Sequence, residues 1–198
     1  MSTPPTASQT VGPFFHLGMA YLARDNFAAE SIAGERITIR GKVLDGDGNV
    51  VPDAVLEIWQ ADSSGRYPSE AVSHNSGAPR FLGFGRVETD DNGEFSFTTI
   101  KPGRVPSPDG SLQAPHLVIT LFSRGLLKAL LTRLYFPDEP ANFDDPVFKL
   151  VPPERQSTLI AAPSSERSAT NTLKNVSGKI FDWKIVMQGH GETVFFDY

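Results

Sequence analysis

Not one cysteine occurs in the chain. That absence removes disulfides, thiolate nucleophiles and zinc–thiolate sites together, and it makes the reducing cytoplasm the default compartment. No apolar run reaches the length of a membrane span; the longest stretches break at Arg124, Lys128 and Arg133. A basic n-region and an apolar h-region are both missing from Met1-Ser2-Thr3-Pro4-Pro5-Thr6. Positive charge is in deficit: 18 Lys and Arg stand against 23 Asp and Glu, a net charge of −5. Such a chain has no electrostatic claim on nucleic acid or an anionic membrane. Catalytic signatures are equally scarce. There is no phosphate-binding glycine motif, no H-E-x-x-H and no G-x-S-x-G, and the four histidines, His16, His74, His116 and His190, include no pair at metal-ligand spacing.

What the sequence does have is punctuation. Its 198 residues suit one domain, and 17 glycines with 16 prolines are spread along the chain, as many turns require. From Arg36 the pattern becomes regular. Ile37, Ile39, Gly41 and Val43 alternate with Thr38, Arg40 and Lys42 before the turn Asp45-Gly46-Asp47-Gly48-Asn49. Val55–Gln60 reads as the next strand. Asp91-Asn92-Gly93, between Gly85–Thr89 and Glu94–Thr98, predicts a hairpin. Further strands are expected at His116–Phe122, Leu131–Phe136, Phe181–Gln188 and Thr193–Phe196, and one helix at Pro153–Ala162. Residues 63–80, rich in Ser, Gly and Pro, read as a long loop. The fold class is mainly β: a single-domain β-sandwich over 36–198, preceded by an extended N-terminal arm over 1–35. In that arm, paired aromatics follow a Gly-Pro turn in Thr10-Val11-Gly12-Pro13-Phe14-Phe15; they either pack back on their own core or dock on another chain.

Several motifs carry more than pattern. Gln9–Phe14, Leu56-Glu57-Ile58-Trp59-Gln60-Ala61-Asp62 running on to Tyr67, Thr99-Ile100-Lys101-Pro102-Gly103 and Arg133-Leu134-Tyr135-Phe136 resemble the intradiol ring-cleavage dioxygenases. The resemblance runs in the same order from about Thr6 to Tyr198 and includes the ending Gly191–Asp197. It implies a β-sandwich of the intradiol type and ring opening between the two hydroxyl-bearing carbons of a catechol. Catalytic chains of the family hold Fe(III) with two tyrosines and two histidines. Tyr67 matches the first tyrosine, Val105 stands where the second is expected, and His116 and Val118 stand for the H-x-H pair. Side chains at i and i+2 share a strand face, so that pair can address one metal, but valine offers no donor. Two of four ligands are missing, and the remaining pair is a poor site for hard ferric iron.

The resemblance therefore implies a non-iron-binding chain, related to the family's α subunits, that works with a β subunit in a heteromultimer on protocatechuate and O₂, with Fe(III) held by the β subunit. Aromatic catabolism through the β-ketoadipate route is implied with it. Thr10, Gly12, Pro13 and Phe14 match a T-x-G-P arm that lines the neighbouring subunit's substrate cavity, with Phe14 where tyrosine is expected; this favours the docking arm. Arg124, in Leu121-Phe122-Ser123-Arg124-Gly125, matches a step expected to bind the substrate carboxylate, a task suited to a planar cation. It shares strand parity with His116 and would lie on the same face if the strand persists. Arg133 ranks second, as a residue that fills the empty centre or pairs with a core acid. The alternatives are a prealbumin-like β-sandwich binding module without catalytic activity and a self-sufficient homomeric dioxygenase; Val105 and Val118 argue against the second.

Overall fold

A computed structural model describes residues 9–12, 17, 18, 20–68, 81–164 and 178–197. Two four-stranded sheets face each other. The first, in the order β4-β1-β10-β9, contains β4 (Glu94–Ile100), β1 (Arg36–Leu44), β10 (Lys179–Val186) and β9 (Ala162–Pro163). The second, in the order β3-β2-β7-β8, contains β3 (Phe84–Glu88), β2 (Val55–Trp59), β7 (His116–Phe122) and β8 (Leu130–Tyr135), and is antiparallel throughout. A two-stranded ribbon joins β5 (Val105–Pro106) to β6 (Leu112–Gln113). Mainly β, with short helical turns, is thus the class seen.

Period-2 alternation builds the core. Ile37, Ile39 and Val43 of β1, Phe95 and Phe97 of β4 and Phe181, Trp183 and Ile185 of β10 meet Leu56 and Ile58 of β2 and Leu117, Ile119 and Leu121 of β7. All are buried, and each large side chain contributes roughly 1.5–3 kcal/mol by leaving water. A smaller cluster, including Tyr135, Phe148, Val151, Leu159 and Val194, lies under the turns of residues 140–159.

Three expectations are corrected. Gly85–Thr89 and Glu94–Thr98 form strands but no hairpin, because β3 pairs with β2 and β4 pairs with β1 in the opposite sheet. The connecting turn is as chemically specified as expected: Asn92 and Glu94 donate their N–H groups to Asp90 Oδ1 at 2.9 and 2.8 Å. Alternation tells which face is buried and not which strand lies alongside; Val87 and Phe95 reach the same core from opposite layers. The helix of Pro153–Ala162 is shorter than expected. α1 covers Pro153–Gln156, a 3₁₀ turn follows at Ser157–Leu159, and the chain then straightens as Ala161 donates to the Tyr135 carbonyl at 3.0 Å. Thr193–Phe196 is not a strand. Thr193 donates to Val186 O and Phe196 to Leu131 O, at 2.9 and 2.7 Å, so the segment bridges the two sheets and joins neither.

The later part of the N-terminal segment packs on its own sandwich. Phe27 stacks on Phe97 with ring centroids 4.8 Å apart, and the Arg36 guanidinium donates to the carbonyls of Ala28 and Ala29. Among the described residues, no helix is long and apolar enough to cross a membrane.

Candidate functional site

The residues singled out from sequence fall at two ends of one surface, the outer face of the β3-β2-β7-β8 sheet. Register places His116 opposite Tyr135, and Val118 between Trp59 of β2 and Arg133 of β8. Arg124 lies past the other end of β7, about 20 Å along the strand from His116 to Phe122 at the usual rise.

At the first end, His116 is buried and its Nδ1 lies 2.7 Å from the carbonyl of Ala114, which fixes the proton on that nitrogen. Burial first, and the nearby Arg133 charge second, hold its pKa down at about 4, so the imidazole is neutral. Arg133 reaches across from β8. Its Nη1 donates to Gln113 Oε1 at 2.7 Å and to the Tyr135 hydroxyl at 3.4 Å. Gln113 is in turn the register partner of Val105. Tyr135 donates its hydroxyl to Asp145 at 3.2 Å, and Asp145 also accepts from the N–H groups of Ala114, Val147 and Phe148 at 2.7–2.8 Å. Burial pushes the Tyr135 hydroxyl pKa up, so it stays a donor. Tyr67 is 37% exposed, and its ring lies nearly parallel to Trp59 with centroids 6.0 Å apart.

These residues do not fit a ferric centre. Val105 and Val118 supply no donor, and the buried guanidinium of Arg133, opposite Val118 and bonded to the register partner of Val105, puts a cation where a trivalent metal would need anionic oxygen. Sequence reading singled out Arg133 but missed Gln113, Tyr135 and Asp145. Their roles come from loop closure, and nothing local in Asp144-Asp145-Pro146 announces it.

At the second end, β7 stops at Phe122, yet Arg124 keeps its parity through an ion pair. Val55 pairs with Phe122 at the end of the ladder, and Asp53 and Arg124, two residues past that pair and each in a turn, meet beyond it. Arg124 Nε donates to Asp53 there. Beside it Gly125, at φ +85° on a turn that suits glycine, donates its N–H to Thr10 Oγ1 at 2.8 Å. Thr10, Gly12 and Arg124 are exposed. The structure thus brings Thr10 to Gly125, the chain neighbour of Arg124, and leaves Arg133 at the opposite end. Pro13 and Phe14 lie outside the described residues.

Residues 12–189 match the family model described as "Dioxygenase". The chain belongs to the intradiol ring-cleavage dioxygenase family. Within that family it is 41% identical over 209 residues to the protocatechuate 3,4-dioxygenase alpha chain of Pseudomonas putida, covering 98% of this chain and 97% of that one. It is 31% identical over 193 residues to the beta chain of the same enzyme from Burkholderia cepacia, covering 96% and 78%. Among solved structures it is similar to hydroxyquinol 1,2-dioxygenase from Pseudomonas putida DLL-E4, with a TM-score of 0.64 at 26% identity over 94% of this chain and 67% of that one. Intradiol dioxygenases use Fe(III).

One further concavity, an open groove of about 960 Å³, lies on the outer face of the other sheet. Its charges are largely matched, Arg40 with Asp182 and Lys42 with Glu94, both at 3.1 Å.

Proposed function

We propose that this chain is the non-iron-binding α subunit of a protocatechuate 3,4-dioxygenase. With a β subunit it cleaves protocatechuate between the two hydroxyl-bearing carbons to 3-carboxy-cis,cis-muconate, both atoms of O₂ entering the product. The observation that carries this reading is similarity to an α chain over nearly the whole length, in a molecule whose own donor set does not fit iron. Fe(III) and the chemistry at it belong to the β subunit, and the two chains assemble into a heteromultimer in the cytoplasm. Similarity to both an α and a β chain supports a partner of the same fold.

The work of this chain is binding and enclosure. Thr10, Gly12, Pro13 and Phe14 wall the partner's substrate cavity as the leading part of the N-terminal arm of residues 1–35, whose later part, from Phe27, packs on this chain's own sandwich. Arg124 receives the substrate carboxylate. The Thr10–Gly125 hydrogen bond supports joining these roles, since it brings the arm beside the arginine. Arg133 serves at the opposite end, where its guanidinium stands in for the lost metal as the cation of a closed polar network. A binding module without activity would leave the full-length similarity unexplained.

A hydrogen bond to a charged group contributes roughly 1.5–3 kcal/mol, or about one to two decades in affinity. In the αβ complex, Arg124→Ala is expected to raise KM for protocatechuate about tenfold or more, while KM for catechol, which lacks the carboxylate, changes less than about twofold. Equal effects on the two substrates would remove Arg124 from carboxylate binding.

A further inference from the structure

We infer that Asp53 is a positioning residue for Arg124, aiming its guanidinium at a carboxylate-bearing aromatic substrate; the inference rests on the α-subunit reading above. Asp53 and Arg124 form an ion pair just beyond the Val55–Phe122 end of the β2–β7 ladder, each in the turn two residues past it. The acid is the anchored member: its side chain is 21% exposed against 61% for the arginine. An arginine this exposed samples many rotamers unless one edge is held, and ordering it on binding costs affinity. Asp53 engages Nε, which leaves the edge carrying the two terminal amino groups for a second carboxylate in fork geometry. The next residue is held as well, because Gly125 N–H is tied to Thr10. Two consecutive residues of the β7–β8 turn are therefore fixed, one by the start of β2 and one by the N-terminal segment.

The ion pair also sets selectivity. Asp53 compensates the arginine's charge, so a general anion gains little there, whereas a carboxylate able to meet both amino groups gains two directed hydrogen bonds.

Asp53→Asn, Asp53→Glu, Arg124→Ala and the double variant Asp53→Asn/Arg124→Ala are compared as αβ holoenzymes, with protocatechuate and catechol as substrates. Asp53→Asn is expected to raise KM for protocatechuate about fivefold at unchanged kcat and to move KM for catechol less than about twofold. Asp53→Glu recovers part of the loss, and the double variant is no worse than Arg124→Ala alone. A protocatechuate KM that stays or falls in Asp53→Asn, while Arg124→Ala remains selective, overturns the positioning role. Equal losses on both substrates overturn it too, as a general structural effect. If Arg124→Ala is itself unselective, the carboxylate reading fails first and the inference about Asp53 fails with it.

Discussion

His116 enters the folded chain neutral and stays so over a wide range of pH. Its folded pKa of about 4 lies below the ordinary value of 6.5. The unfolded chain therefore takes up a proton that the folded chain refuses. The stabilising contribution is complete above about pH 6.5 and is lost as pH falls toward 4, amounting to roughly 3 kcal/mol across that window. Thermal melts between pH 7 and 4 are expected to decline, with His116→Gln flattening part of the slope. Arg133 is the second cause of the depression, after burial. Arg133→Met is therefore expected to move the His116 pKa upward, still short of 6.5, by NMR titration of the imidazole. An unchanged value would place the guanidinium's charge elsewhere. The same substitution deprives Gln113 of a buried donor, so a loss of stability accompanies it.

At the scale of elements, Gly85 shows how the N-terminal segment is welded to the sandwich. A Cβ at this position on β3 would collide with the ring of Phe27, which stacks in turn on Phe97. Gly85→Val is expected to displace Phe27 and destabilise the fold by about 1–3 kcal/mol, read as a fall in the denaturation midpoint. A neutral result would mean that Phe27 is not a core residue. Most strands were legible because alternation alone places Ile37, Ile39 and Val43 on one face and Thr38, Arg40 and Lys42 on the other. The β3–β4 crossing was not, since the Asp90–Gly93 turn serves a hairpin or a crossing between layers equally well. Thr193–Phe196 was misread for a related reason: apolar alternation there serves two sheets in succession. Of the candidate site, the motif resemblance located His116, Val118, Arg124 and Arg133. Gln113, Asp145 and Asp53 escaped, because each acquires its partner only through a contact distant in sequence or beyond the end of a strand.

For the whole molecule, the two ends of one sheet face differ in build, and the proposed function assigns them different tasks. One end closes on itself around Arg133 with a hydrogen-bonded network in which two valines stand at positions where ligands would be needed. The other stays open, with Arg124, Gly125 and Thr10 exposed and Thr10 bonded to Gly125. On the proposed reading, the first end is the shut centre of a subunit whose residues at the second end serve a neighbour. This is the central claim, and it concerns where the iron resides. The direct test is to produce the chain alone, a candidate β chain alone and both together, then measure iron content, visible absorption and oxygen uptake with protocatechuate on each. The account predicts an iron-containing complex that is active only when both chains are present, and this chain colourless and iron-free by itself. Stoichiometric iron with oxygen uptake in this chain alone would contradict it.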